Sequence, residues 1–168
     1  NKPSGYICSL KDEKGRKVAA DLLKSHFSER LYNVGRLDMF SAGLIIFTND
    51  GVFSSSVSHP SSEIEKEYIV ETSVIIPEEL PTQFLKGIRI EGVFYKAKQA
   101  ELLGKRRLRV VLIEGKNREI RRVFEHFQIG IKSLTRMRIG NIQNNNLQAG
   151  QFRELTKEEI TSLLEKQY

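Results

Sequence analysis

The longest apolar run in the chain, Gly43-Leu44-Ile45-Ile46-Phe47, is five residues long and is followed closely by the turn-forming Asn49-Asp50-Gly51. A run of this length is too short for a helix and is typical of a buried strand. It is also far shorter than the ~18–20 apolar residues that cross a bilayer, so the sequence predicts no membrane span. The core must therefore come from several short elements.

Short β-prone segments outnumber helical ones and do not alternate with them regularly. Strands are predicted at residues 6–10, 31–34, 43–48, 68–76, 93–102, 108–114 and around 134–139. Helical spacing or cap residues predict helices at 17–25, 52–57, 78–86 and 118–127, and after Thr156. This order favours the α+β class, with a largely antiparallel mixed sheet flanked by helices.

Three residues are predicted to cap helices. Asp50 precedes the helix at 52–57, Asn117 precedes the helix at 118–127, and Thr156 with Glu159 forms a T-x-x-E capping box. Near the last strand, the alternation of Arg136 and Arg138 predicts that both side chains lie on one side of the sheet.

The positive charge is concentrated in one part of the chain. The net charge is +6, but residues 105–138 hold eleven basic and three acidic residues and so carry +8, which leaves −2 for the remainder. Arginine predominates there, and its planar guanidinium suits bidentate phosphate contacts. A solvated face remains the alternative, but the apolar residues between the charges favour a surface that binds a polyanion.

The cysteine and histidine content argues against a metal centre. Cys8 is the single cysteine, so it makes no internal disulfide and no cysteine-based metal cluster. The three histidines are scattered without metal-ligand spacing. We therefore expect no structural zinc site, and a reducing, cytoplasmic location.

The segment richest in candidate reactive residues is the loop between Gly35 and Gly43, which contains Arg36, Asp38 and Ser41. An Asp and a Ser between two strands usually form an Asx-type turn, so this segment alone indicates little.

Several motifs occur in order, however, and together they resemble those of RNA pseudouridine synthases, in the branch that modifies ribosomal RNA. The branch motifs are N-K-P-x-G, G-R-L-D-x-x-S-x-G-L, T-N-D-G, H-P-x-x-x-x-E-K-x-Y and E-G-x-N-R-x-I-R-R. This chain matches them with segments that begin at Asn1, Gly35, Thr48, His59 and Glu114. Two further signatures match at residues 134–140 and 150–156, so the likeness runs from Asn1 to about Glu159.

The resemblance implies a fold of the pseudouridine synthase type and a set of catalytic residues. Asp38 matches the catalytic carboxylate, Arg121 matches the arginine that keeps this carboxylate ionised, and Tyr68 matches the tyrosine that stacks on the base. The Asp attacks the sugar, attacks the base or removes a sugar proton, and the sequence does not decide among these routes. The family uses no metal or cofactor.

The implied substrate is ribosomal RNA. The segments E-K-E-Y at residues 65–68 and N-R-E-I-R-R at residues 117–122 favour members that act on large-subunit RNA. A uridine in folded RNA has to leave its stack to reach an Asp, so base flipping is expected. Leu134 matches an apolar position beside the base. The candidate RNA-binding residues are Arg36, Lys66, Lys105, Arg106, Arg107, Arg118, Arg122, Arg136 and Arg138.

Residues 1–168 are expected to be the catalytic domain of a longer, monomeric protein, and the small N-terminal RNA-binding domain found in many members of the branch is missing from this sequence. An alternative function is that of a non-catalytic RNA-binding or ribosome-assembly module on the same fold. A metal-dependent nuclease is less favoured, because Asp38 and Asp50 alone are a poor set of carboxylates.

Overall fold

The computed structural model describes residues 1–9 and 12–165, which contain ten strands and four α-helices. The strands are β1 (Tyr32–Val34), β2 (Ala42–Gly43), β3 (Ile46–Thr48), β4 (Lys66–Thr72), β5 (Ile88–Ile90), β6 (Val93–Tyr95), β7 (Gln99–Gly104), β8 (Arg107–Leu112), β9 (Ile131–Ile139) and β10 (Ile142–Gln143). The helices are α1 (Gly51–Ser58), α2 (Glu79–Lys86), α3 (Glu119–His126) and α4 (Lys157–Leu164).

The main sheet has the order β10-β9-β4-β8-β7, and every neighbouring pair along this path is antiparallel. The short strand β2 pairs with β9 in parallel, which makes the sheet mixed. β1 pairs with β3, and β5 forms a hairpin with β6, in two further small sheets. The predicted α+β class with a largely antiparallel mixed sheet is therefore confirmed.

Two hydrophobic cores stabilise the fold. The larger core packs α2 and α3 against β4 and β8, and Val70, Leu108 and Phe124 have no exposed surface in it. The smaller core packs α1 and α4 against β1 and β3, around Val57 and Leu163. Each fully buried large apolar side chain contributes about 1.5–3 kcal/mol to the stability of the folded state.

Two of the three predicted caps are present. The Asp50 carboxylate accepts hydrogen bonds from the backbone N–H groups of Val52 and Phe53 at the start of α1. Thr156 and Glu159 form both reciprocal hydrogen bonds of the capping box at the start of α4. The prediction for Asn117 is wrong. α3 begins after Arg118, whose φ of 51° is left-handed, and no side chain caps it.

Two predictions near the N-terminus are also wrong. Of residues 6–9, only Ile7 makes a strand-type pairing, an isolated bridge to Val18, and residue 10 lies outside the described residues. The backbone groups of Lys17 and Ala19 bond to Ile7, so a helix does not start there. A single 3₁₀ turn, Ala19–Leu22, replaces the helix predicted at 17–25.

The predicted strand at 68–76 ends early, at Thr72. The hydroxyl of Thr72 donates to the carbonyl oxygen of Val74, and the backbone N–H of Ile76 donates to the carbonyl oxygen of Lys105. These bonds turn the chain away from the sheet, and Val74 is left exposed.

A β-bulge separates the two arginines of β9. Glu67 of β4 faces Arg138, whereas the adjacent Tyr68 faces Arg136, so one extra residue of β9 is accommodated between them. Such a bulge rotates the strand and changes which face a side chain occupies. The prediction that Arg136 and Arg138 lie on one side of the sheet is therefore wrong.

In the described part of the chain, no helix has both the length and the apolar character that a membrane span requires.

Candidate active site

The loop between β1 and β2 carries Asp38 and is tied down on both sides of it. The backbone N–H of Leu37 donates to Sγ of Cys8 at 3.3 Å, and the carbonyl oxygen of Met39 accepts from the N–H of Gly5 at 2.7 Å. The carbonyl oxygen of Asp38 itself accepts from the N–H of Ser41. The side chain of Asp38 therefore projects from a fixed backbone.

Lys2 also stabilises this loop through hydrogen bonds. It is 1% exposed, and its Nζ donates to the carbonyl oxygens of Pro3, Tyr6 and Met39 at 3.0, 2.8 and 3.2 Å. Its backbone also exchanges two hydrogen bonds with Gly43. Burial lowers the pKa of the Lys2 ammonium from its ordinary value, and the nearby Cys8 and Asp38 partly offset this effect.

Helix α3 brings Arg121 to Asp38. Its apolar face, with Ile120, Val123 and Phe124, is buried in the larger core, which fixes the helix against the sheet. Nε of Arg121 lies 3.5 Å from Oδ2 of Asp38, and its Nη2 donates to Oγ of Ser41 at 3.2 Å. Burial lowers the pKa of the Arg121 guanidinium, and the Asp38 carboxylate opposes this change.

A cavity of about 220 Å³ brings the three predicted catalytic residues together. Asp38, Tyr68 and Arg121 all line it, and the buried Leu134 lies in its wall as well. It is smaller than the roughly 300–1,000 Å³ of sites for drug-sized ligands, which suits a single nucleobase. A larger cavity of about 520 Å³ contains none of these four residues.

Two predicted RNA-binding residues line this cavity, where Arg136 is buried and Lys66 is half-buried. Nζ of Lys66 donates to the carbonyl oxygens of Ile64 and Ile113, and burial lowers its pKa. Arg136 is 4% exposed, and its Nε donates to the carbonyl oxygen of Leu44 at 2.7 Å. Neither geometry is that of a surface phosphate contact, and RNA binding by these two residues stays a prediction.

The other predicted RNA-binding residues are dispersed. Arg36 and Arg118 are exposed and line the cavity. Arg138 lies on the other side of the bulge and pairs with Glu65 and Glu67, and Arg122 pairs with Glu91.

The exposed basic turn at residues 105–107 lies at the far end of β8 from the cavity. At about 3.3 Å per residue, Arg107 is roughly 17 Å along the strand from Leu112, which lines the cavity. The basic segment is thus continuous in sequence but not in space.

Glu119 is a site residue that the sequence did not indicate. It is 3% exposed, lines the cavity, and accepts a hydrogen bond from the backbone N–H of Lys116 at 3.2 Å. Burial raises the pKa of its carboxyl group above the ordinary value. The carboxylate thus fixes the turn that precedes α3.

Lys2, Ser41 and Cys8 were also missed as residues that position the site. Lys2 and Ser41 belong to the motifs N-K-P-x-G and G-R-L-D-x-x-S, so their positions gave a signal, whereas Cys8 gave none. Within the described residues, no group of three or more His, Cys, Asp or Glu side chains has a geometry that would hold a metal ion.

Comparisons with known proteins agree on one family. A sequence profile described as RNA pseudouridylate synthase matches residues 1–126. A protein of Borreliella burgdorferi named uncharacterized RNA pseudouridine synthase is 45% identical over 163 residues, which cover 97% of this chain and 66% of that protein. Ribosomal large subunit pseudouridine synthase B of Bacillus subtilis is 36% identical over 168 residues, with 96% and 68% covered.

A solved structure gives the same result for the fold. The crystal structure of a pseudouridylate synthase superposes with a TM-score of 0.87 at 28% identity, over 97% of this chain and 71% of that one. The chain spans about two thirds of the length of the relatives described above.

Proposed function

Since this chain belongs to the RNA pseudouridine synthase family, we propose that it converts uridine in ribosomal RNA to pseudouridine, with Asp38 as the essential carboxylate. The observation that carries this proposal is the position of Asp38, 3.5 Å from Arg121, in a small cavity that Tyr68 also lines.

The reaction breaks the bond between N1 of uracil and C1′ of ribose and forms a bond between C5 and C1′. The proton on C5 has to leave, and N1 has to gain one. Asp38 attacks the sugar, attacks the base or removes a sugar proton, and each route requires its ionised form. The guanidinium of Arg121 is the positive charge that faces this carboxylate, with Nε 3.5 Å from Oδ2.

Tyr68 is our candidate for the residue that contacts the base. Tyr68 lines the cavity from β4, where its register partners on the neighbouring strands are Arg136 and Val110. An aromatic ring there stacks on an extruded uracil, and its hydroxyl is a candidate for proton transfer at C5. The cost of extrusion, a few kcal/mol, is offset by this stacking and by phosphate contacts.

Phosphate contacts are assigned first to the exposed Arg36 and Arg118 at the cavity. The turn at 105–107 then contacts RNA roughly 17 Å further along, so that a structured RNA lies across the sheet. Large-subunit RNA is the favoured target, since relatives from Bacillus subtilis, Haemophilus influenzae and Pseudomonas aeruginosa are named ribosomal large subunit pseudouridine synthase B.

Residues 1–168 then form the catalytic domain, and we expect a cytoplasmic monomer. Ribosomal RNA is the supporting argument for the location, because a modifying enzyme has to meet its substrate where ribosomes assemble. Sedimentation of the purified protein at micromolar concentration tests the monomer.

The decisive experiment is incubation of the protein with small- and large-subunit ribosomal RNA that lacks pseudouridine, without divalent metal, followed by chemical mapping of pseudouridine. We expect one or a few modified positions, in the large-subunit RNA. RNA binding without product on either RNA would favour the non-catalytic module and overturn the proposed activity. Product on the small-subunit RNA alone would overturn only the choice of subunit.

A further inference from the structure

Arg136 is a buried cation with an unused hydrogen-bond donor. The residue is 4% exposed and lines the 220 Å³ cavity that contains Asp38. Its Nη2 is buried and has no hydrogen-bond partner within residues 1–9 and 12–165. A buried donor without a partner costs about 1–3 kcal/mol, so it points to an acceptor that arrives with a ligand.

The guanidinium is held by the strand that follows the Asp38 loop. Nε of Arg136 donates to the carbonyl oxygen of Leu44, and the N–H of Leu44 donates to the carbonyl oxygen of Arg136 at 2.9 Å. Gly43 permits this approach, since a Cβ there would lie 2.2 Å from the same carbonyl oxygen. With Nε fixed in this way, the position of Nη2 is set before any ligand binds.

The surroundings of Arg136 are rich in positive charge. Lys2 and Lys66 lie close enough to Arg136 for its charge to contribute to the lowering of their pKa values. The ammonium groups of both lysines donate hydrogen bonds to backbone carbonyl oxygens. In the described part of the chain, no carboxylate forms an ion pair with Arg136. A group that gains negative charge is therefore stabilised here.

We propose that Nη2 of Arg136 donates a hydrogen bond to a carbonyl oxygen of the flipped uracil, and that this bond strengthens as the bond between N1 and C1′ breaks. This inference rests on the proposed function. The electron pair of the broken bond moves onto the base and spreads over its two carbonyl oxygens. C5 then bonds to C1′ and releases its proton, N1 takes up a proton, and Arg136 remains protonated throughout.

A carbonyl oxygen fits this position better than a backbone phosphate does. The base is the part of the nucleotide that enters a cavity of this size, whereas phosphates contact the exposed surface and fix the register of the RNA. A donor aimed at the position where charge develops accelerates the reaction more than it strengthens binding.

The first test compares Arg136→Lys with the wild-type protein on the mapped target RNA. We expect kcat to fall by about 10²–10³-fold, as for the loss of one oxyanion donor, with KM for RNA within about threefold. Arg109→Lys is the matched control, because Arg109 lies in the same sheet, pairs with Glu67 and Glu101 and does not line the cavity. Its kcat should stay within about twofold of wild type.

The second test alters the substrate and does not depend on the stability of a variant. RNA with 2-thiouridine or 4-thiouridine at the target replaces one carbonyl oxygen by sulfur, a poorer acceptor. One of the two should slow the wild-type protein strongly, and the same change should have little further effect on Arg136→Lys. That pattern would also identify the oxygen that Arg136 contacts.

Two results would overturn the inference while the proposed function stands. One is a stable Arg136→Lys protein with kcat close to that of the active wild type. The other is a wild-type protein that converts both thio-substituted RNAs at the normal rate, which decides the question even if Arg136→Lys fails to fold. An inactive wild-type protein would instead overturn the proposed function, and this inference with it.

Discussion

Nε of Arg121 lies 3.5 Å from Oδ2 of Asp38 without forming a hydrogen bond to it. The arginine is fixed by Ser41 and by burial of its helix, whereas 35% of the Asp38 side chain is exposed. The cation is thus already in place, and the carboxylate keeps its oxygens open to a substrate. Catalytic contacts are often long before substrate binds and shorten in the complex.

Asp38→Asn should abolish product formation, by about 10²–10⁴-fold or more, because the amide is neither a base nor a nucleophile. RNA affinity should persist, since the amide leaves the basic surface intact. The single-turnover rate constant tests the loss of activity. Filter retention of labelled RNA tests whether affinity persists. The control is Asp50→Asn, which retains a good helix cap. Normal activity of Asp38→Asn would rule out its assigned role.

Arg121→Gln removes the cation beside Asp38 and leaves the hydroxyl of Ser41 without its donor. We expect kcat to fall by about 10²-fold, because electrostatic support for a catalytic carboxylate is of this order. Arg153→Gln is a matched control, since it breaks an arginine–carboxylate pair with Glu159 away from the cavity. Equal kcat values for the two variants would argue against the special position of Arg121.

Local signals in the sequence predicted local structure well. Asp50 and Thr156 cap their helices as expected, because a cap depends on residues within one turn. The resemblance to a family identified Asp38, Tyr68 and Arg121 as candidate catalytic residues, and in the structure all three line one cavity. Nothing in the spacing of these three residues fixes their contact.

Most of the other failures came from contacts between distant segments, whereas the failed cap at Asn117 is local, since Arg118 takes a left-handed conformation before α3. The bulge that separates Arg136 from Arg138 arises in the pairing of β9 with β4, which residue alternation within β9 does not reveal. Arg136 was therefore predicted as a surface residue, although it is buried. Likewise, β4 ends at Thr72 because the backbone N–H of Ile76 donates to the carbonyl oxygen of Lys105, which belongs to a distant part of the chain.

Gly43→Ala should destabilise the protein and impair catalysis together. The new Cβ would lie 2.2 Å from the backbone oxygen of Arg136, and the φ of 107° is unfavourable for alanine. Overpacking of this kind costs about 1–3 kcal/mol, and relief of the clash moves the Asp38 loop. Gly51→Ala is the control, since no atom lies within 4 Å of its added Cβ. Urea denaturation should separate the two; similar midpoints would contradict the close approach.

Lys2→Met should lower stability by about 1–3 kcal/mol, because three partly buried carbonyl oxygens lose their donor. One of them belongs to Met39, next to Asp38, so kcat should fall as well. Lys14→Met, in an exposed turn, serves as the control and should change neither quantity. A Lys2→Met protein with reduced stability but normal kcat would show that Lys2 supports the fold and not the position of Asp38.

Glu119→Gln should stabilise the protein at neutral pH but not in acid. Burial raises the pKa of this carboxyl above its ordinary 4.5 in the folded protein, against the opposing effects of Lys116 and of the backbone of Lys96. The folded state then binds the proton more tightly than the unfolded state. The stability that this provides is fully present below about pH 4.5 and is lost as the pH rises through the folded pKa. Gln keeps the acceptor for the N–H of Lys116 without this loss.

The Tm difference between Glu119→Gln and wild type should therefore be near zero at about pH 4 and positive at pH 8. Glu114, Lys116 and Lys66 also face this carboxyl, so Glu13→Gln, in an exposed loop, is needed to show the effect of removing one charge. Thermal unfolding of the three proteins from pH 4 to 8 measures the difference. A Tm difference that shrinks as the pH rises would mean that the ionised Glu119 stabilises the fold, contrary to the effect of its burial.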